Sequence, residues 1–302
     1  MAMREIEEIG DVNKSYEVLD MVGDGGQGDL FLGRDRRSGE RVALKLQKAR
    51  NLGPRSIFSE AGEELLEEGS RMRKLTGVQA IPEIIATGTH QGRRCLVMEF
   101  IEGRQLHDVL SDALPVRRPE VIASIIGQLC EILRDVHDQK LVHCDLKPEN
   151  VIVQPDGRLR LIDMGLAITV GEGTSDSRGT RGWASPEQSD ACPSGLTQRA
   201  DIFGLGCMLL EMTVMRLPYG GLEELAEPGG PVLPDEKLAA LPPEFASLAL
   251  SMVRREAKER PADVREVFDQ LRPYLPRLGS RRPPKRLRPD PTEYYRTYPP
   301  RL

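Results

Sequence analysis

Leu141-Val142-His143-Cys144-Asp145-Leu146-Lys147-Pro148-Glu149-Asn150, followed by Asp163-Met164-Gly165, is the stretch that decides the fold. A carboxylate, an ammonium and an amide fall between Asp145 and Asn150, and a second carboxylate, Asp163, comes after two short apolar runs, Val151 to Val153 and Leu159 to Ile162. Pro155-Asp156-Gly157 between the runs is a turn signal. The runs therefore predict a small hairpin that carries Asp163 back toward Asn150. Such a gathering of chemically able side chains marks a candidate active site.

Working outward, the two sides of this stretch differ in periodicity. Downstream of Gly103 the pattern is helical: Ile122, Ile125, Ile126, Leu129, Ile132, Leu133 and Val136 make one apolar stripe that must face a core. A Gly/Ser/Thr-rich loop from Gly171 to Gly182 follows. After it come an apolar helix from Asp201 to Met212 and amphipathic helices near 244 to 256 and 261 to 271. Upstream, Tyr16 to Val22, Asp29 to Gly33, Arg41 to Leu46, Ile84 to Gly88 and Cys95 to Phe100 read as strands between Gly, Asp and Ser turns, forming an antiparallel sheet. One helix interrupts them, from Ser59 to Leu75, with Leu65, Glu68, Met72 and Leu75 on one face and Gly62 and Gly69 weakening it.

Two features of the strand-rich part carry chemistry. Val22-Gly23-Asp24-Gly25-Gly26-Gln27-Gly28-Asp29-Leu30 sits at a strand-turn-strand junction, where glycines let backbone N–H groups approach a polyphosphate. The same pattern also describes an ordinary hairpin. Val42-Ala43-Leu44-Lys45 places an ammonium in an otherwise apolar strand, where an anionic partner is expected. Glu68 is the partner that helical facing selects, and Glu64 on the same face is the alternative.

Taken together and in order, these motifs resemble the eukaryotic-type serine/threonine protein kinases, over roughly residues 16 to 272. The resemblance implies an α+β fold of two lobes: an antiparallel-sheet N-lobe at about 16–98 with one main helix, and a larger, mainly helical C-lobe at about 102–275. It implies transfer of the γ-phosphate of ATP to Ser or Thr of protein substrates, with Mg²⁺ as the ion and Mn²⁺ as the alternative. Asp145 would accept the substrate hydroxyl proton, Lys147 would stabilise the transferring phosphoryl, and Asn150 and Asp163 would hold the metal. Lys45 would bind the α/β-phosphates and pair with Glu68, beneath Gly23, Gly25 and Gly28. Met98 would gate the adenine pocket and the backbone of Glu99 and Ile101 would bond the base. Val22, Leu30, Ala43 and Ile152 would close over its faces. Lys147-Pro148-Glu149-Asn150 resembles the Ser/Thr rather than the Tyr class, and Gly179 to Glu187 resembles the end of an activation segment, with Glu187 paired to Arg260. Asp201 resembles the helix-start aspartate that braces the loop bearing Asp145, a plain N-cap being the simpler reading.

Cys144, Met164 and Ser185 depart from the family pattern, where Arg, Phe and Ala are usual. The missing guanidinium at Cys144 is the group that would capture a phosphate on the activation segment. Activity without phosphorylation there is therefore expected, despite the candidate acceptors Thr174, Ser175, Ser177 and Thr180. A catalytically silent kinase fold acting as a scaffold is the competing reading of the whole.

Bulk composition fits this picture. With 302 residues of which 39% are hydrophobic, the chain has enough apolar material for a two-lobed core and is not a disordered polymer. Five scattered cysteines with no CxxC pair suit a reducing cytoplasm. The start is acidic and lacks a signal-peptide core, and no apolar run reaches the roughly 18 residues that span a bilayer. Residues 1–15 read as an extension. Residues 276–302 read as a basic tail, extended and flexible: from Arg277 on, eight Lys/Arg face two Asp/Glu, interspersed with prolines. A solubilising or partner-docking role is expected of this tail, which is one place where an unknown regulatory partner could bind; contact with nucleic acid or an anionic membrane through Arg and Tyr294, Tyr295 and Tyr298 is the less favoured use.

Overall fold

The computed structural model of the chain describes residues 7–25, 28–48, 57–111, 113–174, 177–189, 192–220, 232–283 and 287–302. Two compact units divide it, Met1–Ile101 and Glu102–Leu302. In the first, strands β1 (Glu7–Asp11), β2 (Tyr16–Gly25), β3 (Gly28–Asp35) and β4 (Arg41–Leu46) precede helix α1 (Ile57–Lys74), and β5 (Ile84–His90) and β6 (Arg93–Glu99) follow it. They form one six-stranded sheet in the order β1-β5-β6-β4-β3-β2.

Side-chain alternation along β4 explains how this unit is built. Val42, Leu44 and Leu46 point into a core shared with Val12, Tyr16, Ala86, Cys95 and Val97, which leaves Ala43 and Lys45 on the other face. Helix α1 reaches β6 through Gly69: a Cβ there would stand 3.1 Å from Leu96 Cδ2, and Leu96 is the cross-strand partner of Lys45. The glycine that weakens the helix locally is what allows its close approach.

Strand β1 lies within the stretch read as an extension, and it differs from its neighbours by pairing in parallel, with β5. All other ladders of this sheet are antiparallel. Glu7 to Asp11 carries only one β-branched residue, so period-two patterning does not reveal it. Its place depends on Gly88, where an added Cβ would lie 2.3 Å from the Ile9 carbonyl oxygen.

The second unit opens with β7 (Arg104–Gln105), α2 (Leu106–Ser111) and α3 (Pro119–Asp138), then β8 (Leu141–Val142), β9 (Val151–Val153), β10 (Leu159–Leu161) and β11 (Ile168–Thr169). Helices α4 (Pro186–Ser189), α5 (Arg199–Val214), α6 (Asp235–Ala239), α7 (Pro243–Met252), α8 (Val264–Leu271) and α9 (Thr292–Thr297) complete it. Helix α3 is its axis, with Ile122, Ile125, Ile126, Leu129 and Leu133 fully buried and with α5, α8, α9 and β10 packed around it. Two small ladders frame the 141–169 region: β9 pairs with β10 and β7, and β8 pairs with β11. Gly157, at φ 83°, makes the turn between β9 and β10.

The end of the chain departs from the expected extended and flexible tail. Residues 287–302 fold back on α3: α9 buries Tyr294 and Tyr295, and Gly127 of α3 leaves room for the Tyr295 ring, its added Cβ being 3.1 Å from the phenol oxygen. Like-charge repulsion does not extend the segment, because its arginines pair with carboxylates and not with each other. Arg301 bonds Glu131 and Asp135 of α3, and Arg296 reaches Glu120. Gln128 of α3 donates to the carbonyls of Pro291 and Gly157, tying tail, helix and hairpin together. With Tyr294 and Tyr295 buried, the aromatic surface expected for base stacking is spent on packing, leaving Tyr298 39% exposed.

Candidate functional site

Lys45, Glu68 and the glycine turn belong to the first unit. Lys45 Nζ lies 2.8 Å from both carboxylate oxygens of Glu68, and both residues are buried. Glu64 is exposed, so Glu68 is the partner. A pair this dry persists because each charge satisfies the other, and removing one would strand the remaining ion. The β2–β3 turn is set across the pairs Gly23↔Leu30 and Gly25↔Gly28. At Gly28 the sheet itself demands glycine, since a Cβ would stand 2.7 Å from the Leu46 carbonyl oxygen, whereas at Gly23 a Cβ would meet only Leu30 at 3.6 Å. Gly26 and Gln27 lie outside the described residues.

Around this turn the remaining first-unit residues take distinct environments. Ala43 and Met98 are buried and face each other across β4 and β6, Leu30 is half-buried, and Val22 is 51% exposed. Such an exposed valine above a sheet is a large apolar group with water to lose. The Glu99 N–H donates to the Glu83 carbonyl at 2.8 Å, so a base contact by the Glu99 backbone falls to its carbonyl. Ile101 ends the unit, half-buried. Sequence reading overlooked Arg93, which pairs with Asp29 and donates to the Gln47 carbonyl at 2.6 Å, pinning the start of β3 beside the turn.

In the second unit the 141–150 loop gathers its polar groups tightly. Asn150 Nδ2 donates to Asp145 Oδ2 at 2.9 Å and to the Asp145 carbonyl at 2.8 Å, and Lys147 Nζ sits 3.0 Å from Asp145 Oδ2. Asp145 Oδ1 accepts from Thr180, from its N–H at 3.0 Å and its hydroxyl at 2.6 Å, while Lys147 Nζ donates to that hydroxyl oxygen at 2.6 Å. The β9–β10 hairpin brings the second carboxylate back: Ile162 N–H donates to the Asn150 carbonyl at 2.9 Å, so Asp163 follows directly beside Asn150. Asp163 adopts φ 70°, a conformation that a non-glycine residue holds only where its surroundings impose it. Ile152 of β9 is half-buried, in register with Arg160 and Gln105, and Met164 is fully buried.

Asp201 fixes this loop from beneath. Its carboxylate accepts the N–H groups of His143 at 2.8 Å and Cys144 at 2.9 Å and meets His137 Nε2 at 2.8 Å. Burial pushes its carboxyl up, yet the bonds and charges of His137 and His143 outweigh that and hold it below the ordinary 3.8. It is not the N-cap of α5: Gln198 holds that place and Asp201 lies in the first turn.

Gln188, also overlooked in the sequence, locks the 178–188 segment to the loop. Its Nε2 donates to the carbonyls of Cys144 at 2.7 Å and Arg178 at 3.2 Å, and its Oε1 accepts the N–H and hydroxyl of Ser185, both at 3.0 Å. Ser185 in place of alanine thus supplies a bond that alanine lacks. Arg260 grips Glu187 with both terminal nitrogens, at 2.6 and 2.8 Å, and spends further N–H groups on the carbonyls of Arg199, Arg254 and Arg255. A planar guanidinium is suited to such a five-way clamp. Signals for these partners exist only as isolated polar residues in sequence; their pairing is a property of the fold.

Chemically, Asp145 is a carboxylate held by an ammonium, an amide and a hydroxyl, able to accept a proton from an alcohol placed against it. Asn150 turns its NH₂ to Asp145, so its amide oxygen and the Asp163 carboxylate are oxygen donors of the kind that could hold a hard cation. No cluster of three or more His, Cys, Asp or Glu suited to a metal occurs among the described residues, so a cation here would share its coordination with a ligand or water. That donor set fits a phosphate-bound divalent ion and not a structural zinc.

Comparison with known proteins gives the same direction. The family model described as protein kinase domain matches residues 16–270. The serine/threonine-protein kinase pkn2 of Myxococcus xanthus is 30% identical over 277 residues, 85% of this chain and 32% of that protein. The probable serine/threonine-protein kinase PknB of Corynebacterium glutamicum is 28% identical over 277 residues, covering 87% and 42%. The serine/threonine-protein kinase PknB of Mycobacterium leprae is 24% identical over 283 residues, covering 89% and 44%. The matched region covers 32 to 44% of the length of these relatives.

Proposed function

The chain belongs to the protein kinase family, and from that premise we propose that it transfers the γ-phosphoryl group of ATP to Ser or Thr hydroxyls of protein substrates. The observation that carries the reading is the constellation around Asp145: a carboxylate positioned by Asn150 and Lys147 of its own loop and by Thr180 of the 178–188 segment. Asp145 Oδ1 or Oδ2 takes the proton of the acceptor hydroxyl, and Lys147 offers its ammonium to the phosphoryl oxygens. Lys45, fixed by Glu68, binds the α/β-phosphates, and Asn150 Oδ1 with the Asp163 carboxylate holds the divalent ion. When bound, that ion, Mg²⁺ with Mn²⁺ as substitute, would supply charge neutralisation for the phosphate oxygens. In the first unit the adenine would meet Val22, Leu30, Ala43 and Met98, with Glu99 and Ile101 giving backbone bonds. We place the reaction in the cytoplasm, in keeping with five free cysteines. Among the described residues no helix is long and apolar enough to cross a membrane.

Activity without phosphorylation of the 171–182 loop is part of the proposal. Cys144 brings no guanidinium, and the 178–188 segment is already held to the loop by Gln188 and Thr180. Thr174 is buried, its hydroxyl oxygen accepting the Cys192 N–H at 3.2 Å. Ser177 is exposed, and Ser175 lies outside the described residues. Phosphatase treatment and the Thr174/Ser175/Ser177 triple alanine variant should leave transfer to an added substrate intact; loss in both would sink this part.

The function itself is tested by Asp145→Asn. An enzyme loses phosphotransfer and keeps nucleotide binding, whereas a silent scaffold shows no transfer before the substitution either.

A further inference from the structure

We propose that the second unit carries a docking site for a phosphoserine or phosphothreonine of a protein, in a basic cavity where the N-terminus of α3 meets the 273–283 segment and α9. The inference rests on the kinase reading only for the choice of ligand, since that chemistry makes the phosphorylated residues the site would recognise. The cavity measures about 670 Å³, and Arg118, Glu120, Tyr274, Arg277, Arg281 and Arg296 are among the residues lining it.

Its charges do not balance. Glu120 is the one carboxylate in the lining, and its Oε2 is shared by Arg118 at 3.1 Å and Arg296 at 3.2 Å. Arg277 and Arg281 are exposed, and neither side chain makes an ion pair or hydrogen bond among the described residues. Arg296 is 8% exposed, and one terminal nitrogen donates to Ser280 Oγ and the Arg281 carbonyl, yet its Nε has no partner. That N–H is closed to solvent, so what Arg296 adds to the cavity is charge, and the exposed guanidinium groups of Arg277 and Arg281 are the donors open to an anion. The positive end of the 20-residue helix α3 adds to the same potential.

Phosphate matches this donor set better than a carboxylate does. It offers three acceptor oxygens and close to two negative charges, which guanidinium forks bind in pairs. The cavity is open to solvent on one side and its volume is more than a bare ion needs, as suits a side chain presented by another protein. Pro119, Pro273, Leu275 and Pro283 complete the walls with apolar surface for the residues flanking a phosphorylated side chain. A nucleic acid would call for several stacking aromatics, and Tyr274, the one aromatic in the lining, already packs edge-on against Phe245.

Such a site would recruit proteins that already carry one phosphate. The test uses the Asp145→Asn chain, so that binding is read without transfer. Its probe is a fluorescent peptide library, degenerate around a central phosphoserine or phosphothreonine, against the same library with Ser or Thr. The phosphorylated library should bind at least about tenfold more tightly, about 1.4 kcal/mol. Arg277→Gln with Arg281→Gln should reduce that preference to less than about threefold, because each lost guanidinium removes charge-assisted bonds. Arg254→Gln with Arg265→Gln, an equal loss of charge at exposed positions elsewhere in the unit, should leave the preference intact. Millimolar inorganic phosphate should compete. Equal binding of both libraries would overturn the proposal. So would a preference that survives in the Arg277/Arg281 variant, or binding to phosphoinositide vesicles without binding to the phosphorylated library. Transfer by the unaltered chain is measured separately, so failure of the kinase reading and failure of the docking site are told apart.

Discussion

Thr180 donates its hydroxyl to Asp145 Oδ1 at 2.6 Å and, through the same oxygen, accepts Lys147 Nζ at 2.6 Å. One side chain of the 179–187 segment thus orients both the proposed base and the proposed phosphoryl-binding ammonium. Thr180→Ala should lower kcat by about tenfold or more, as hydrogen bonds to charged groups are worth roughly 1.5–3 kcal/mol. Thr180→Ser should restore most of it. Steady-state kinetics with melting curves check this, since a merely structural loss would lower stability and leave kcat of the folded fraction unchanged.

Lys45 and Glu68 form a buried pair whose halves depend on each other. Glu68→Ala should destabilise the chain by about 3–5 kcal/mol, because it leaves an uncompensated ammonium. The double replacement Lys45→Met/Glu68→Leu should recover most of that stability while abolishing phosphotransfer. Denaturant unfolding and transfer assays on the three chains separate the structural from the chemical share.

Asp201 gives the account a pH signature. Its folded carboxyl titrates below the ordinary 3.8, so the unfolded chain takes up the proton first as acid is added. The stabilisation is therefore complete above pH 3.8 and is lost as pH falls through the lower folded value. In Asp201→Asn the acid limb of stability against pH should be shallower below that point, and stability at neutral pH lower. Parallel limbs in the two proteins would show that Asp201 does not titrate with folding.

Tyr295, fully enclosed between α9 and α3, anchors the end of the chain. Tyr295→Ala should cost about 3–5 kcal/mol, like other large aromatic truncations in a core. Tyr298→Ala, at a 39% exposed ring under Arg158, should cost less than about 1.5 kcal/mol. Equal, small losses would mean that the C-terminal segment is not part of the core.

Local patterns made much of this molecule legible in its sequence. The α3 stripe, the β9–β10 hairpin and the strands of the first unit are written in short-range periodicity, and turn residues mark their ends. Lys45 stood out because a charge in an apolar strand needs a partner, and facing on α1 sufficed to favour Glu68. What escaped was set by distant matches. β1 is polar and finds its place through residues nearly eighty positions away, its ladder with β5 and the room that Gly88 leaves for it, and Gln188 looks like any helix glutamine until the Cys144 carbonyl is seen beside it. The tail misled for a related reason. Its arginines repel in isolation, but Glu120, Glu131 and Asp135 wait on one face of α3, more than 150 positions earlier in the chain.

The most direct test of the account is the fate of γ-labelled ATP with Mg²⁺ and a Ser/Thr-containing acceptor protein. The purified, folded chain should place label on serine or threonine, and Asp145→Asn should abolish labelling while still binding nucleotide. A folded chain that releases no ADP and labels no polypeptide with either Mg²⁺ or Mn²⁺ would contradict it.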